Sequence, residues 1–187
     1  MSQFILASGS PRRRQLLSQL GLEFTVLAPD VDETLLPQEP ADVYVRRVAE
    51  LKAATIAEGI VLAADTTVVL DGNVMGKPGG PAEAVEMLSR LSGMTHTVFS
   101  GVCSNGPAGL LSEVVRTDVT MAELTPGQID WYVATGEPLD KAGAYGMQGI
   151  GMALVAGLVG SVSNVIGLPL DTAVDLLTRQ GVEVMRG

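Results

Sequence analysis

The stretch IVLAADTTVVL at residues 60–70 decides the fold, because an apolar β-strand is interrupted there by one acidic residue. Its β-branched residues predict a strand, and the Asp71-Gly72 pair that follows predicts a hairpin turn. Asp65 conflicts with this apolar setting, since burying a charge is costly. We expect it to be a metal ligand or a general base; the alternative is a structural aspartate bonded to a turn or a bulge.

On the N-terminal side of this stretch, the sequence predicts a strand and two helices. Residues 4–7 are apolar and form the expected strand. Ser10 followed by Pro11 is typical of a helix start, with serine as the N-cap and proline in the first turn. The second helix is expected at about residues 41–57, where apolar residues recur with helical spacing.

On the C-terminal side, helices and strands continue to alternate. The pattern predicts a helix from about residue 81, a helix from the capping box at Thr125 to Gly136, and a last helix over 169–181. Strands are expected at about 95–103, 110–121 and, as glycine-rich segments, across much of 143–168. We therefore predict an α/β (mixed α+β) fold in a single domain spanning residues 1–187.

Composition and charge exclude several classes of function. The 187 residues are 47% apolar and carry a net charge of −9, which suits a folded domain and argues against nucleic acid as a partner. With one cysteine and one histidine, the chain can form neither an internal disulfide nor a zinc site of the usual type. The N-terminal residues lack the features of a secretory signal, so we expect a cytoplasmic protein.

Residues 142–170 contain no charged residue and are long enough to be considered as a membrane span. Glycines and Pro169 interrupt the run, and Ser161, Ser163 and Asn164 lie where an unbroken helix would be. Buried strands joined by turns fit this pattern better, so we expect no membrane association.

The segment ASGSPRRR at residues 7–14 suits an anion. A helix N-terminus presents free N–H groups and a partial positive charge. The hydroxyls of Ser8 and Ser10 add hydrogen-bond donors, and the arginines add forked donors whose geometry matches phosphate. Arginine in a first turn opposes the helix dipole, so three in a row need compensation. Phosphate binding is the favoured interpretation; a plain N-cap beside a solvated basic turn is the alternative.

Other charged residues extend this pattern. Lys52 lies on the apolar face of the second predicted helix, where its ammonium must reach solvent or meet an anion. Replacing it with methionine is expected to cost little stability, because a near-buried charge is removed. The DVDE cluster at residues 30–33 offers oxygen ligands for a metal, although solvated loop acids are the commoner case. Lys77 is a cation in a rigid extended segment before Pro78.

Two further features are less specific. The segment DKAGAYGMQG at residues 140–149 is typical of a ligand-facing loop, and His96 in a predicted strand is equally compatible with a satisfied core histidine. Cations, hydroxyls and carboxylates in an acidic protein together indicate a metal-assisted phosphate enzyme. The glycine-rich loop of P-loop enzymes is missing from the sequence, which argues against that class.

These residues fall into blocks that resemble the signature blocks of the Maf family. The blocks follow one another across nearly the whole chain, at residues 7–13, 31–34, 63–66, 76–78, 91–96, 140–149 and 165–169. The resemblance implies a fold similar to that of inosine triphosphate pyrophosphatases, with a mixed central sheet flanked by helices and a cleft between two lobes. It also implies a cytoplasmic nucleotide pyrophosphatase that depends on a divalent metal and is often a homodimer.

The resemblance also implies roles for individual residues. Asp65 would be the proton acceptor. For the mechanism we predict in addition that Glu33 and Asp65 help hold Mg²⁺ or Mn²⁺. The specificity positions would be Arg12, Thr66 and Gln148. In the mechanism that we predict, Ser8, Arg13, Lys52 and Lys77 bind the triphosphate. Segments 64–66 and 140–149 resemble the branch of the family that acts on dTTP and UTP. One departure is the SVSN segment at residues 161–164, where many members have an aromatic residue after the serine.

Two other functions are compatible with this resemblance. One is a nucleotide-sensing regulator of cell division without significant turnover, since members of the family were first linked to inhibition of septum formation. The other is a house-cleaning pyrophosphatase for modified nucleotides. The chain keeps the groups that turnover would need, which favours an enzyme over a sensor.

Overall fold

The strand predicted at residues 60–70 has the expected bounds in the computed structural model, which describes residues 4–184. It is the third strand in order: β1 Phe4–Ala7, β2 Thr25–Val26, β3 Ile60–Leu70, β4 Asn73–Met75, β5 Thr95–Gly106, β6 Gly109–Met121 and β7 Val155–Val159. In the described residues these form one sheet of order β2-β1-β3-β5-β6-β7, with β4 pairing with β3. Strand β1 is parallel to both β2 and β3, whereas the β3–β4 and β6–β7 pairs are antiparallel.

Helices alternate with these strands along the chain. They are α1 Pro11–Ser18, α2 Ala41–Ala54, α3 Pro81–Leu91, α4 Pro126–Ala134, α5 Val162–Ile166 and α6 Leu170–Arg179. Short 3₁₀ turns lie at Glu137–Asp140, Ala142–Ala144 and Ile150–Leu154. The prediction of a mixed α/β fold with a mixed sheet is therefore confirmed. No helix in the described part of the chain is both long and apolar enough to cross a membrane.

The chain divides into two compact units. Unit 1 comprises residues 4–66, 100–115 and 167–184 of the described chain. In it, small side chains let α2 lie close to the sheet: Ala49 and Ala53 of the helix pack with Ala7, Ala63 and Cys103 of the strands. At Gly101 a Cβ atom would overlap the backbone carbonyl of Val45 in α2, so this approach requires glycine.

Unit 2 comprises residues 67–99 and 116–166. Its core joins α3 and α4 to the strands through large apolar side chains, among them Leu88, Leu91, Val119 and Tyr132. All four are fully buried or nearly so.

The predicted turn and cap chemistry is present. Ser10 accepts a hydrogen bond from the Arg13 N–H as the N-cap of α1. Thr125 and Gln128 form both hydrogen bonds of the capping box at the start of α4. At the β3–β4 hairpin, Asp71 and Gly72 both have positive φ, at 50° and 77°, as a two-residue hairpin turn requires.

The prediction of glycine-rich strands across much of residues 143–168 is wrong except at β7. Residues 142–144 and 150–154 form 3₁₀ turns, and residues 162–166 form helix α5. The physical reason is local backbone conformation: Gly143, Ala144 and Gly149 have φ of 69°, 57° and 111°. A strand needs negative φ at each residue, so these positions break the ladder.

Candidate active site

An ion-paired cluster in unit 1 brings together three of the predicted site residues. Helix α2 presents Lys52 and strand β3 presents Asp65, and the Lys52 Nζ lies 2.9 Å from Asp65 Oδ1. The same Nζ lies 2.9 Å from Glu33 Oε1. Lys52 and Asp65 are both only 6% exposed. The buried ammonium of Lys52 needs an anionic partner, and it has two, Asp65 and Glu33.

The cluster combines charges of both signs. Two carboxylates contact the ammonium of Lys52, and the guanidinium of Arg13 lies near enough to interact with both of them. The Glu33 side chain is 49% exposed, so solvent reaches the cluster from its side. Carboxylate oxygens next to solvent are the donor groups that a divalent cation uses, with water and phosphate oxygens completing its coordination.

The acidic segment at residues 30–33 does not act as one group. Asp32 accepts a hydrogen bond from the Thr34 N–H at 2.9 Å, and this contact with Thr34 lowers the pKa of Asp32. Glu33 alone among these acids forms an ion pair with Lys52 in the structure as described. No group of three His, Cys, Asp or Glu side chains within residues 4–184 is arranged to hold a metal ion.

Arg13 connects the first turn of α1 to the middle of strand β3. Its Nη1 donates to Ser8 Oγ at 3.2 Å, its Nη2 to Thr66 Oγ1 at 3.1 Å, and its Nε to the Gly167 carbonyl at 2.7 Å. Burial lowers the pKa of Arg13, and the charge of nearby Asp65 acts in the opposite direction. Four predicted residues, Ser8, Arg13, Asp65 and Thr66, are thus brought close together. Arg12 lies in the same first turn and is partly buried.

Ser100 is a member of this network that the sequence analysis missed. Its hydroxyl lies 2.7 Å from Thr66 Oγ1, and the residue is fully buried on β5. The available signal was a serine inside the otherwise apolar run of residues 98–103. A polar side chain in such a run needs a partner, which here is the hydroxyl of a predicted site residue.

Lys77 and Gln148 belong to unit 2. Lys77 is exposed after β4, and Gln148 is partly buried in the segment 140–149. That segment is anchored along its length, since the Gly143 N–H donates to the Gly76 carbonyl at 3.0 Å. The hydroxyl of Tyr145 lies 2.6 Å from His96 Nε2.

His96 is a core residue. It is 2% exposed, and its Nδ1 has no hydrogen-bond partner among the described residues. Burial lowers the pKa of His96 to about 4, against the opposing effect of Asp118. The imidazole is therefore neutral near pH 7 and holds Tyr145 in place, which supports the core interpretation of this histidine.

Glu137 organises the end of the same segment and was also missed. Its carboxylate accepts hydrogen bonds from Tyr132 Oη at 2.9 Å and from the N–H groups of Ile150 and Gly151 at 3.0 and 2.9 Å. Burial would raise the pKa of Glu137, but these bonds together with the charge of Lys141 outweigh it and lower the pKa. The sequence carried no signal for this role, because a Gly-Glu-Pro turn after a helix is a common surface feature.

The chain is similar to proteins of one family. The family described as Maf-like protein matches residues 3–180. Among curated proteins, a dTTP/UTP pyrophosphatase of Anaeromyxobacter sp. (strain Fw109-5) is 53% identical over 184 residues, covering 96% of this chain and 90% of the relative. A dTTP/UTP pyrophosphatase of Moorella thermoacetica is 51% identical over 192 residues, covering 98% of each.

A solved structure is also similar in part. The Staphylococcus aureus Ham1 protein aligns with a TM-score of 0.49 and 15% sequence identity, covering 82% of this chain and 79% of that one.

Proposed function

This chain belongs to the Maf family, and on that premise we propose that it hydrolyses nucleoside triphosphates to the monophosphate and pyrophosphate, with dTTP and UTP as its preferred substrates. The observation that carries the proposal is the contact of the buried Lys52 ammonium with Asp65 and Glu33. A protein whose purpose was stability alone gains little from such a cluster, because desolvating the charges offsets most of their attraction. The names of the relatives, which match at about half of all positions, agree with this activity.

The residues present fit a divalent metal. Glu33 and Asp65 would hold it, since Mg²⁺ and Mn²⁺ are commonly bound through one or two carboxylates and the phosphate oxygens of a substrate. When bound, the metal would neutralise phosphate charge and polarise the reacting phosphorus centre. Both carboxylates lie on one ammonium, so their oxygens already converge.

Asp65 is the proton acceptor of the proposed reaction. A water oxygen forms a bond to the α-phosphorus, its proton passes to the Asp65 carboxylate, and the bond from the α-phosphorus to the bridging oxygen of pyrophosphate breaks. Lys52 lies against Asp65 and holds this carboxylate in one orientation. The ammonium also stabilises negative charge on the departing pyrophosphate, where charge develops during the reaction.

Other residues bind the phosphates and the base. Ser8 and Arg13 add donors at the N-terminus of α1, where the free N–H groups favour an anion. Lys77 is assigned a further phosphate contact. Gln148 is assigned to the base, because an amide can both donate to a carbonyl and accept from the ring N–H that thymine and uracil share. Arg12 and Thr66 complete the specificity set.

The test is release of pyrophosphate from a panel of dTTP, UTP, CTP, GTP and 7-methyl-GTP, each with Mg²⁺ or Mn²⁺. We expect dTTP and UTP to have the highest kcat/KM, and the product to be the monophosphate by chromatography. Protein carrying Asp65→Asn serves as the control for contaminating activity. Orthophosphate and nucleoside diphosphate as products would overturn cleavage at the α-phosphorus.

Two other results of this substrate panel would each indicate a different function. A modified purine at the head of it would point to a house-cleaning pyrophosphatase and overturn the proposed substrates. Tight nucleotide binding without turnover of any compound would point to a sensor.

A further inference from the structure

The segment that carries Glu33 lies between β2 and α2 and has no regular secondary structure. Residues 27–36 have neither helical nor strand conformation, and most of them are exposed. A segment of this kind samples many conformations unless side chains hold it, because ordering a residue costs about 1–2 kcal/mol of conformational free energy. Glu33 nevertheless reaches Lys52 at 2.9 Å. Something other than backbone pairing must therefore hold its position.

Arg47 of α2 provides the first set of contacts. Its Nε and Nη2 donate to the two carboxylate oxygens of Glu39 at 2.7 and 2.8 Å, and Nη2 also donates to the Thr34 carbonyl at 2.9 Å. Glu39 in turn accepts the Leu36 N–H at 3.1 Å. A bidentate arginine–carboxylate pair is both stronger and more directional than a simple ion pair. The Arg47 guanidinium thus connects Thr34, in the middle of this loop, with Glu39 at its end.

Tyr44, one helical turn before Arg47, provides the second contact. Its hydroxyl donates to the carbonyl of Glu33 at 3.0 Å, and the Arg47 guanidinium lies 5.7 Å from the centre of its ring. Lys52 on the same helix bonds the carboxylate of Glu33. One rigid helix therefore holds Glu33 at both its main chain and its side chain.

We propose that Arg47 and Tyr44 are positioning residues that act through Glu33, holding the 31–39 loop so that its carboxylate meets Lys52 beside Asp65. The role in turnover rests on the proposed function, whereas the role in ordering the loop does not. Displacing a reacting or metal-binding group by about 1 Å can lower the reaction rate ~10²-fold. Loss of a contact that is remote from the reacting atoms but positions such a group therefore lowers turnover. An exposed ion pair that only added stability would have little effect.

The first test measures loop order without any substrate. Amide hydrogen exchange of residues 31–36 is followed by mass spectrometry in the parent, Arg47→Met, Tyr44→Phe and Arg46→Met proteins. Arg46 is the neighbouring, exposed arginine of α2 and serves as the matched control. We expect exchange in 31–36 to rise about tenfold or more in Arg47→Met, less in Tyr44→Phe and not in Arg46→Met. Unchanged exchange in Arg47→Met would overturn the proposal.

The second test asks whether Arg47 acts through Glu33. Arg47→Met is introduced into the parent and into a Glu33→Ala protein, and kcat/KM for dTTP is measured in all four. We expect a ~10–100-fold loss in the parent and less than about threefold in the Glu33→Ala background, because the group being positioned is already absent. Equal losses in both backgrounds would show that Arg47 acts elsewhere.

Two provisions keep the outcome unambiguous. Should Arg47→Met fail to fold, Arg47→Lys keeps the charge but loses the planar fork, and it is expected to raise loop exchange by an intermediate amount. Should the parent release no pyrophosphate from any triphosphate, the proposed function fails. The exchange measurement still decides whether Arg47 and Tyr44 order the loop.

Discussion

Lys52 Nζ lies 2.9 Å from Asp65 Oδ1, and both side chains are less than a tenth exposed. Helix α2 supplies the cation and strand β3 the anion, and small side chains such as Ala49 and Ala63 let the helix lie close to the sheet. Desolvating two charges costs several kcal/mol per ion, which their attraction only partly repays. The contact is therefore best explained by the chemistry of Asp65. It also predicts a distinct effect on activity and stability for each substitution at these two positions.

Replacing Asp65 with asparagine is expected to abolish turnover while preserving the fold. The amide has the same shape but cannot accept the proton of the attacking water, and loss of a positioned base costs ~10²–10⁴-fold. The measurement is kcat for pyrophosphate release from dTTP at saturating metal, together with the far-UV circular dichroism spectrum. Activity within a few-fold of the parent would remove Asp65 from the role of base.

Lys52→Met is expected to lower both activity and stability. The sequence alone led us to expect little loss of stability, but the pairing with buried Asp65 reverses that, because methionine leaves a buried carboxylate without its partner. Breaking a buried pair costs ~3–5 kcal/mol in the free energy of unfolding. Urea denaturation measures the loss, and Lys77→Met, which removes an exposed lysine, serves as the stability control.

A double variant separates this explanation from simple loss of packing. In Lys52→Met with Asp65→Asn, the carboxylate that lost its ammonium is removed as well, so most of the stability lost in Lys52→Met should return. If the double variant is as unstable as the sum of the two single variants, the ion pair is not the cause.

His96 should make stability depend on pH between 7.5 and 5. Its pKa is about 4 in the folded protein and near 6.5 when unfolded, so the unfolded chain takes up the proton first as the pH falls. Stability from the neutral imidazole is complete above pH 6.5 and decreases toward pH 4, by about 2 kcal/mol between pH 7.5 and 5. Tyr145 and Asp118 are the titratable groups that act on it.

The comparison that tests this uses His96→Gln, which keeps a polar partner for the Tyr145 hydroxyl. Melting temperatures of parent and variant are measured at pH 7.5, 6 and 5, above the range in which most carboxylates titrate. The parent should lose more stability than the variant. Since the chain has one histidine, parallel curves would mean that His96 is not buried in its neutral form.

Glu137→Gln is expected to weaken discrimination between pyrimidine bases. An amide nitrogen would face one of the N–H donors that the carboxylate now accepts, at Ile150 or Gly151, and a lost buried acceptor costs ~1–3 kcal/mol. Gln148 lies two residues before Ile150, so its position loosens. The ratio of kcat/KM for dTTP to that for CTP should fall several-fold, whereas exposed Glu123→Gln should leave it unchanged. A lower melting temperature with an unaltered ratio would make Glu137 purely structural.

Much of the fold could be predicted from local sequence. The hairpin at Asp71-Gly72, the N-cap at Ser10 and the capping box at Thr125 depend on a few neighbouring residues, and all three are present. The glycine-rich segment at 143–168 could not be predicted this way. Its conformation depends on acceptors elsewhere in the chain, such as the Gly76 carbonyl and the Glu137 carboxylate.

The sequence by itself determined which groups need a partner. An aspartate in an apolar strand and a lysine on an apolar helix face each indicate a charge that needs a partner. This can be predicted from the sequence because the free-energy cost of burying a charge depends on the residue and its sequence neighbours. Only the tertiary structure decided that Asp65 and Lys52 are partners of each other and that Glu33 joins them. It also decided that Arg47 and Tyr44 hold the Glu33 loop. Those pairings depend on how closely α2 lies against the sheet, a distance set by the packing of small side chains and not by any local pattern of residues.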